Sequence, residues 1–145
     1  MEVPRPWLLS WWDNPVVWEI LQMKTVLVVD DEASLRNLVR TTLESDTYRI
    51  LEASDGNEAL EIAILQKPDL MVVDWMMPGL TGIEVVAQLR KTEEGKDIPI
   101  VMLTARGQQL DIERGREAGV NVYLVKPFSP LELIDTVEDL LGSAI

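Results

Sequence analysis

Polar residues close otherwise apolar runs at four places in this chain. Asp30 and Asp31 follow TVLVV (25–29), Asp74 follows LMVV (70–73), Thr104 follows IPIVML (98–103), and Lys126 follows VNVYLV (120–125). Three carboxylates held together repel one another, which raises the cost of ionising them. A divalent cation relieves that repulsion, and carboxylates with water and phosphate oxygens are the ligands Mg²⁺ takes. With such a cation, Asp74 could act as a nucleophile toward phosphorus, because aspartyl phosphates are an established form of covalent catalysis. Phosphoryl transfer depends mainly on positioning and charge neutralisation. The cation and Lys126 would neutralise the phosphoryl oxygens, and Thr104 would donate a hydrogen bond to one of them.

Composition removes most rival chemistries. The 145 residues contain no cysteine and no histidine. Disulfides, thiolate zinc sites, cysteine or serine nucleophiles activated by histidine, and an internal phosphohistidine relay are all excluded. What remains is carboxylate, hydroxyl and lysine chemistry, which selects Mg²⁺ or Mn²⁺ over softer metals. The 25 acidic and 13 basic side chains give a net charge of −12. That charge repels phosphate backbones, so direct nucleic-acid contact is not expected, whereas cations and basic protein surfaces suit it. No apolar run reaches the roughly 20 residues that span a bilayer. The N-terminus does not read as a secretory signal, membrane contact is not expected, and a cytoplasmic location is the default.

The elements that must position these residues alternate regularly. Strands are predicted at 25–29, 48–53, 70–73, 98–103 and 120–125. Helices are predicted at 33–44, 58–66, 83–90, 110–117 and 130–141, with a turn at 54–57. The first helix carries Leu35, Leu38, Val39 and Leu43 at helical spacing, and the last carries Leu131, Ile134, Val137 and Leu141 on one stripe. Five strands alternating with five helices imply an α/β fold with a parallel, doubly wound sheet. Ligands of such sheets bind beyond the carboxyl ends of the strands, where the polar residues gather. Upstream, residues 1–22 hold Trp7, Trp11, Trp12, Trp18 and three prolines, and Pro15 is expected to interrupt any single helix there. This start is an extension upstream of a natural Met23, a docking segment, or a segment that folds back over the domain's own surface.

The words VLVVDDE (26–32), DLMVVDWMMPGLTG (69–82), IPIVMLTA (98–105) and AGVNVYLVKPF (118–128) resemble a receiver domain of bacterial two-component response regulators. The resemblance runs from about Lys24 to Leu141. It implies a flavodoxin-like (βα)5 fold with strand order 2-1-3-4-5. It divides the chain into a Trp/Pro-rich extension, 1–22, and a receiver domain, 23–145. Asp74 would be the phosphoacceptor, charged by a histidine kinase or phosphotransfer protein in a Mg²⁺-dependent reaction. Asp31 and Asp74 would ligate the metal directly, Asp30 through water, and Met76 through its backbone carbonyl. Lys126 would pair with the phosphoryl group. Thr104 and Tyr123 would be the switch pair, and the Lys126–Pro127 bond would be cis. The output would be a change in the surface of the fourth helix, fifth strand and fifth helix, read by a partner protein. The domain would not be a conventional enzyme, only a catalyst of its own phosphorylation and dephosphorylation. Met76 and Arg106 would flank the path of the hydrolytic water, and neither helps activate it, which predicts a persistent phosphoryl group.

Departures from the family pattern matter too. Many transcription-factor receivers carry Asp-Asp just before the tyrosine, where this chain has Asn121 and Val122. The last helix carries Glu132, Asp135, Glu138 and Asp139 and no basic residue. The salt-bridged dimer of that class is therefore not expected, and a basic partner is. The chain reads as a single-domain response regulator or a receiver fragment. Other readings are weaker. A haloacid-dehalogenase-like phosphatase needs a second Asp at position 76, a dinucleotide enzyme needs a Gly-rich loop after the first strand, and a degenerate binding module would not keep the polar quintet. Taken singly, Asp30 and Asp31 could simply cap the following helix, and Thr104, Lys126 and Tyr123 could be ordinary strand-end residues.

Overall fold

The computed structural model describes residues 14–44, 47–105, 113 and 116–142. Its elements are α1 (Pro15–Gln22), β1 (Lys24–Val29), α2 (Ala33–Leu43), β2 (Tyr48–Ala53), α3 (Gly56–Gln66), β3 (Leu70–Asp74), α4 (Gly82–Arg90), β4 (Ile100–Ala105), β5 (Val122–Lys126) and α5 (Pro130–Leu141). The helix expected at 110–117 lies mostly outside the described residues; Glu113 and 116–118 are helical.

All five strands are parallel, in the order β2-β1-β3-β4-β5. Strands covered on both faces need apolar residues at every position, and β3 is buried throughout its length. Alternation across the pleat divides the core in two. Leu27, Val29, Met71, Val73 and Met102 face α3 and α4. Val26, Val28, Leu70, Val72, Val101 and Leu103 face α2 and α5. Each fully buried Val or Leu contributes roughly 1.5–3 kcal/mol relative to exposure, so these stacks fix which way each strand end points.

The helix ends are specified locally. Thr81 with Glu84, and Ser129 with Glu132, form reciprocal capping boxes that start α4 and α5. Asp55 caps α3 by accepting from the Glu58 N–H at 2.8 Å. As expected, no described helix runs through Pro15: it begins α1, with Asn14 accepting from the Val16 N–H at 2.9 Å, and proline fits the first turn, whose N–H groups have no helical partner. Other expectations are corrected. Leu38 and Leu131 stay 53% and 65% exposed, so the buried stripes are Val39–Leu43 and Leu133–Val137. β4 and β5 begin two residues later than predicted, because Pro99 has no N–H for the ladder and the Asn121 side chain takes the Ile100 N–H at 2.7 Å. No described helix is long and apolar enough to cross a membrane.

Candidate functional site

Register carries the polar strand ends to one edge. Val29 pairs with Val73, Asp74 with Leu103, Thr104 with Val125 and Ala105 with Lys126. Asp30 and Asp31 therefore leave β1 next to Asp74. One carboxylate oxygen from each of the three lies within 4.8 Å of the other two. Asp30 and Asp74 are buried, whereas Asp31 opens to solvent. Lys126 reaches across from β5, its Nζ donating to Asp74 Oδ1 at 2.7 Å. Its peptide bond to Pro127 is cis. Thr104 is buried at the same edge. Met76 sits two residues past Asp74 with its side chain 62% exposed, and Arg106 lies outside the described residues.

The helix-cap reading of Asp30 and Asp31 fails. The N-cap of α2 is Glu32, which makes no side-chain cap. Asp30 Oδ1 instead accepts from the Glu32 N–H at 2.9 Å, and Asp30 Oδ2 is buried with no hydrogen-bond partner among the described residues. Burial, then the neighbouring charges of Asp74 and Asp31, push the Asp30 carboxyl from its ordinary 3.8 up to about 6; the Glu32 N–H and Lys126 pull the other way. A buried carboxylate oxygen without a donor, facing two further carboxylates in an all-oxygen cluster, fits a hard divalent cation such as Mg²⁺. Asp30, Asp31 and Asp74 are the residues that would hold it.

The loop after Asp74 is drawn tight. The Gly82 N–H bonds the Trp75 carbonyl at 2.9 Å. A Cβ on Gly82 would lie 2.5 Å from the Asp74 carbonyl oxygen and 2.9 Å from Met102 Sδ, so only glycine lets α4 start this close to the site. Tyr123 packs on the core beneath, its ring centroid 6.5 Å from that of Trp75. An open apolar groove of about 350 Å³ borders Lys126, lined by Leu35, Leu38, Pro127 and Phe128.

Two side chains at this edge escaped the sequence reading. Arg36 of α2 donates to the Asp30 carbonyl oxygen at 2.8 Å and to Glu52 Oε1 of β2 at 3.1 Å. A glutamate inside the predicted strand 48–53 was the available signal, since a half-buried carboxylate calls for a basic partner.

The response regulator receiver domain family matches residues 26–138, and the chain belongs to it. The phosphate regulon transcriptional regulatory protein PhoB of Pseudomonas aeruginosa is 43% identical over 118 residues, 81% of this chain and 52% of that protein. The transcriptional regulatory protein ResD of Bacillus subtilis is 48% identical over 119 residues, 82% of this chain and 48% of that protein. The chain thus spans about half the length of these relatives. Among solved structures, chemotaxis protein CheY4 of Vibrio cholerae is similar with a TM-score of 0.77 and 37% identity, covering 81% of this chain and 98% of that one. The receiver domain of a sensor histidine kinase from Pseudomonas aeruginosa, solved with a magnesium ion coordinated in its active site cleft, has a TM-score of 0.76 and 32% identity over 83% of this chain and 98% of that one.

Proposed function

We propose that Asp74 is the phosphoacceptor of this receiver domain and that Asp30, Asp31 and Asp74, with the Met76 carbonyl, hold the Mg²⁺ or Mn²⁺ that the reaction needs. The observation that carries this reading is the convergence on Asp74 of two carboxylates and the Lys126 ammonium, with Asp30 Oδ2 left without a donor among the described residues. An Asp74 carboxylate oxygen attacks phosphorus, the bond from phosphorus to the donor breaks, and its electron pair leaves with the donor group. A bound cation supplies charge neutralisation for the phosphoryl oxygens. Lys126 then exchanges its bond to Asp74 for a phosphoryl oxygen, and Thr104 donates to another.

The donor is a histidine kinase or phosphotransfer protein, because the chain has no histidine of its own. Phosphorylation biases Thr104 and Tyr123 and so shifts the population of the surface that the helix expected at 110–117 would form with β5 and α5. The residues exposed on β5 and α5 include Val125, Leu131, Glu132, Asp135 and Asp139, which suits a basic protein partner. Direct contact with nucleic acid is disfavoured for this acidic chain; the transcriptional names of PhoB and ResD belong to proteins of which it matches only 52% and 48%. The receiver unit occupies 23–145 and works in the cytoplasm, slowly removing its own phosphoryl group. Residues 1–22, of which α1 is described, are an extension outside the matched region.

Intact mass after incubation with acetyl phosphate and Mg²⁺ tests the site. One phosphoryl mass is expected on the wild type, and none on Asp74→Asn or after chelation. A modified Asp74→Asn chain places the nucleophile elsewhere. Amide shift changes on phosphorylation confined to α2 and α3 sink the proposed output surface.

A further inference from the structure

We propose that Arg36, held by Glu52, is a positioning residue for the metal-binding carboxylates; the inference rests on the reading of Asp30, Asp31 and Asp74 as a cation site. Asp30 and Asp31 lie just past the last ladder residue of β1, where the sheet no longer dictates the backbone. The Asp30 N–H is still fixed, donating to the Ala53 carbonyl at 3.1 Å. Its carbonyl is fixed by Arg36 Nη1 at 2.8 Å. With both main-chain groups tied, the peptide that aims the Asp30 and Asp31 side chains at Asp74 has one orientation. Released, the three carboxylates would relax apart, because they repel one another.

Glu52 explains why an arginine can stand so near a cation site without filling it. Arg36 Nε is committed to Glu52 Oε1 at 3.1 Å, and Arg40 Nη1 grips Glu52 Oε2 at 2.8 Å. The carboxylate of Glu52 offsets the guanidinium charge and turns the planar fork toward the Asp30 carbonyl, away from the carboxylates. Arg36 and Glu52 side chains are 19% and 30% exposed, so the pair is less screened than a surface ion pair. The five fixed donors of arginine can serve a carboxylate and a carbonyl together, which a lysine does less well.

Electrostatics alone and positioning predict opposite signs. If Arg36 acted only as a nearby positive charge, removing it would tighten binding of a divalent cation. If it positions the ligands, removing it weakens binding. Outer-sphere partners of metal ligands typically change affinity 10–100-fold. The test is titration of the full chain with Mn²⁺ alone, reading free Mn²⁺ by electron paramagnetic resonance. Arg36→Ala should weaken binding roughly 10-fold, and Arg36→Lys, which keeps the charge and one donor, should fall between it and the wild type. Because Glu52 acts through Arg36, the double variant Arg36→Ala/Glu52→Ala should match Arg36→Ala alone. Unchanged or tighter binding by Arg36→Ala, or by Arg36→Lys should the alanine variant fail to fold, overturns the inference and leaves the cation site standing. A wild type that does not bind Mn²⁺ removes the cation site, and the inference with it.

Discussion

The two ends of the parallel sheet treat polar groups in opposite ways. At the amino ends, Arg90 closes α4 by donating to the Gly95 carbonyl at 2.8 Å, to the Gly119 carbonyl at 3.2 and 2.7 Å, and to Asn121 Oδ1 at 3.0 Å. Asn121 and Asp69 take the N–H groups of Ile100 and Thr25 that the ladder leaves over. Donors there meet acceptors, and the result is a fixed joint between α4, the 91–97 turn and the start of β5. At the carboxyl ends three carboxylates face one ammonium, and a buried Asp30 oxygen has no donor among the described residues. One end is built for rigidity; the other keeps unbalanced charge that a cation and a phosphoryl group can settle.

The sharpest way to break this comparison is at Arg90. Burial holds its guanidinium below the ordinary arginine range, with the Asp97 charge opposing the shift. Truncation strips charge-assisted hydrogen bonds from two backbone carbonyls and opens space beside Gly119, where Arg90 Nε stands 2.7 Å from the position of a Cβ. Arg90→Ala should cost about 3 kcal/mol in urea unfolding, since each lost bond to a charged group is worth roughly 1.5–3 kcal/mol. Mn²⁺ affinity at the far end should stay within about twofold, as distant independent sites are additive. A large loss of affinity would join the two ends into one cooperative unit.

The opposite end should respond to charge removal with a gain. The Asp30 carboxyl, ordinarily near 3.8, stands at about 6 in the folded chain. The folded state therefore binds this proton more tightly than the unfolded state, and the proton's contribution to stability is full below about pH 4, declines between about pH 4 and 6, and is gone above. Without metal at pH 7, Asp30→Asn should raise stability by roughly 1–2 kcal/mol, less than a shift of this size allows, because the cleft opens to water at Asp31. Its stability should also lose the fall between pH 4 and 6. Saturating Mg²⁺ should reverse the order, stabilising the wild type by mass action and the variant little. A variant less stable than the wild type in the absence of metal would mean that Asp30 is compensated by something other than a cation.

The same contrast explains what could be read from the sequence. Strands buried on both faces must be unbroken apolar runs, so Asp30, Asp74, Thr104 and Lys126 stood out as interruptions and marked both the sheet and its reactive edge. Tertiary partners left at most a one-sided mark, such as Glu52 inside β2, which does not name its partner. Arg36 meets Glu52 across 16 residues and Arg90 meets Asn121 across 31, and a charged residue on a helix reads as solvated until the fold brings its acceptor. Leu38 and Leu131 kept helical spacing with their stripes yet stay exposed, because periodicity finds a face without fixing where its edge falls. The late starts of β4 and β5 came from a side chain, Asn121, standing in for a strand residue.

Asn121 also supplies the smallest test. Sequence comparison with the receiver pattern marked it as a departure, since aspartate stands there in many transcription-factor receivers. The structure gives the position a local task, because Asn121 Oδ1 accepts both the Ile100 N–H at 2.7 Å and Arg90 Nη2 at 3.0 Å. An aspartate offers the same acceptor with a charge, so both bonds survive and become stronger. Against this stands desolvation, which is modest because the side chain is exposed. Asn121→Asp should therefore stabilise the chain by about 0.5 kcal/mol at low salt, the scale of a partly exposed ion pair. The gain should shrink as salt rises to 1 M, where the screening length falls to about 3 Å. Asn121→Ala, which orphans the Ile100 N–H, should instead cost roughly 1 kcal/mol. Urea midpoints of the three chains at two salt concentrations separate these effects. An aspartate variant destabilised by more than the alanine one would show that the amide N–H₂ group, not the oxygen, holds the joint, and that the amino end is less fully matched than its hydrogen bonds indicate.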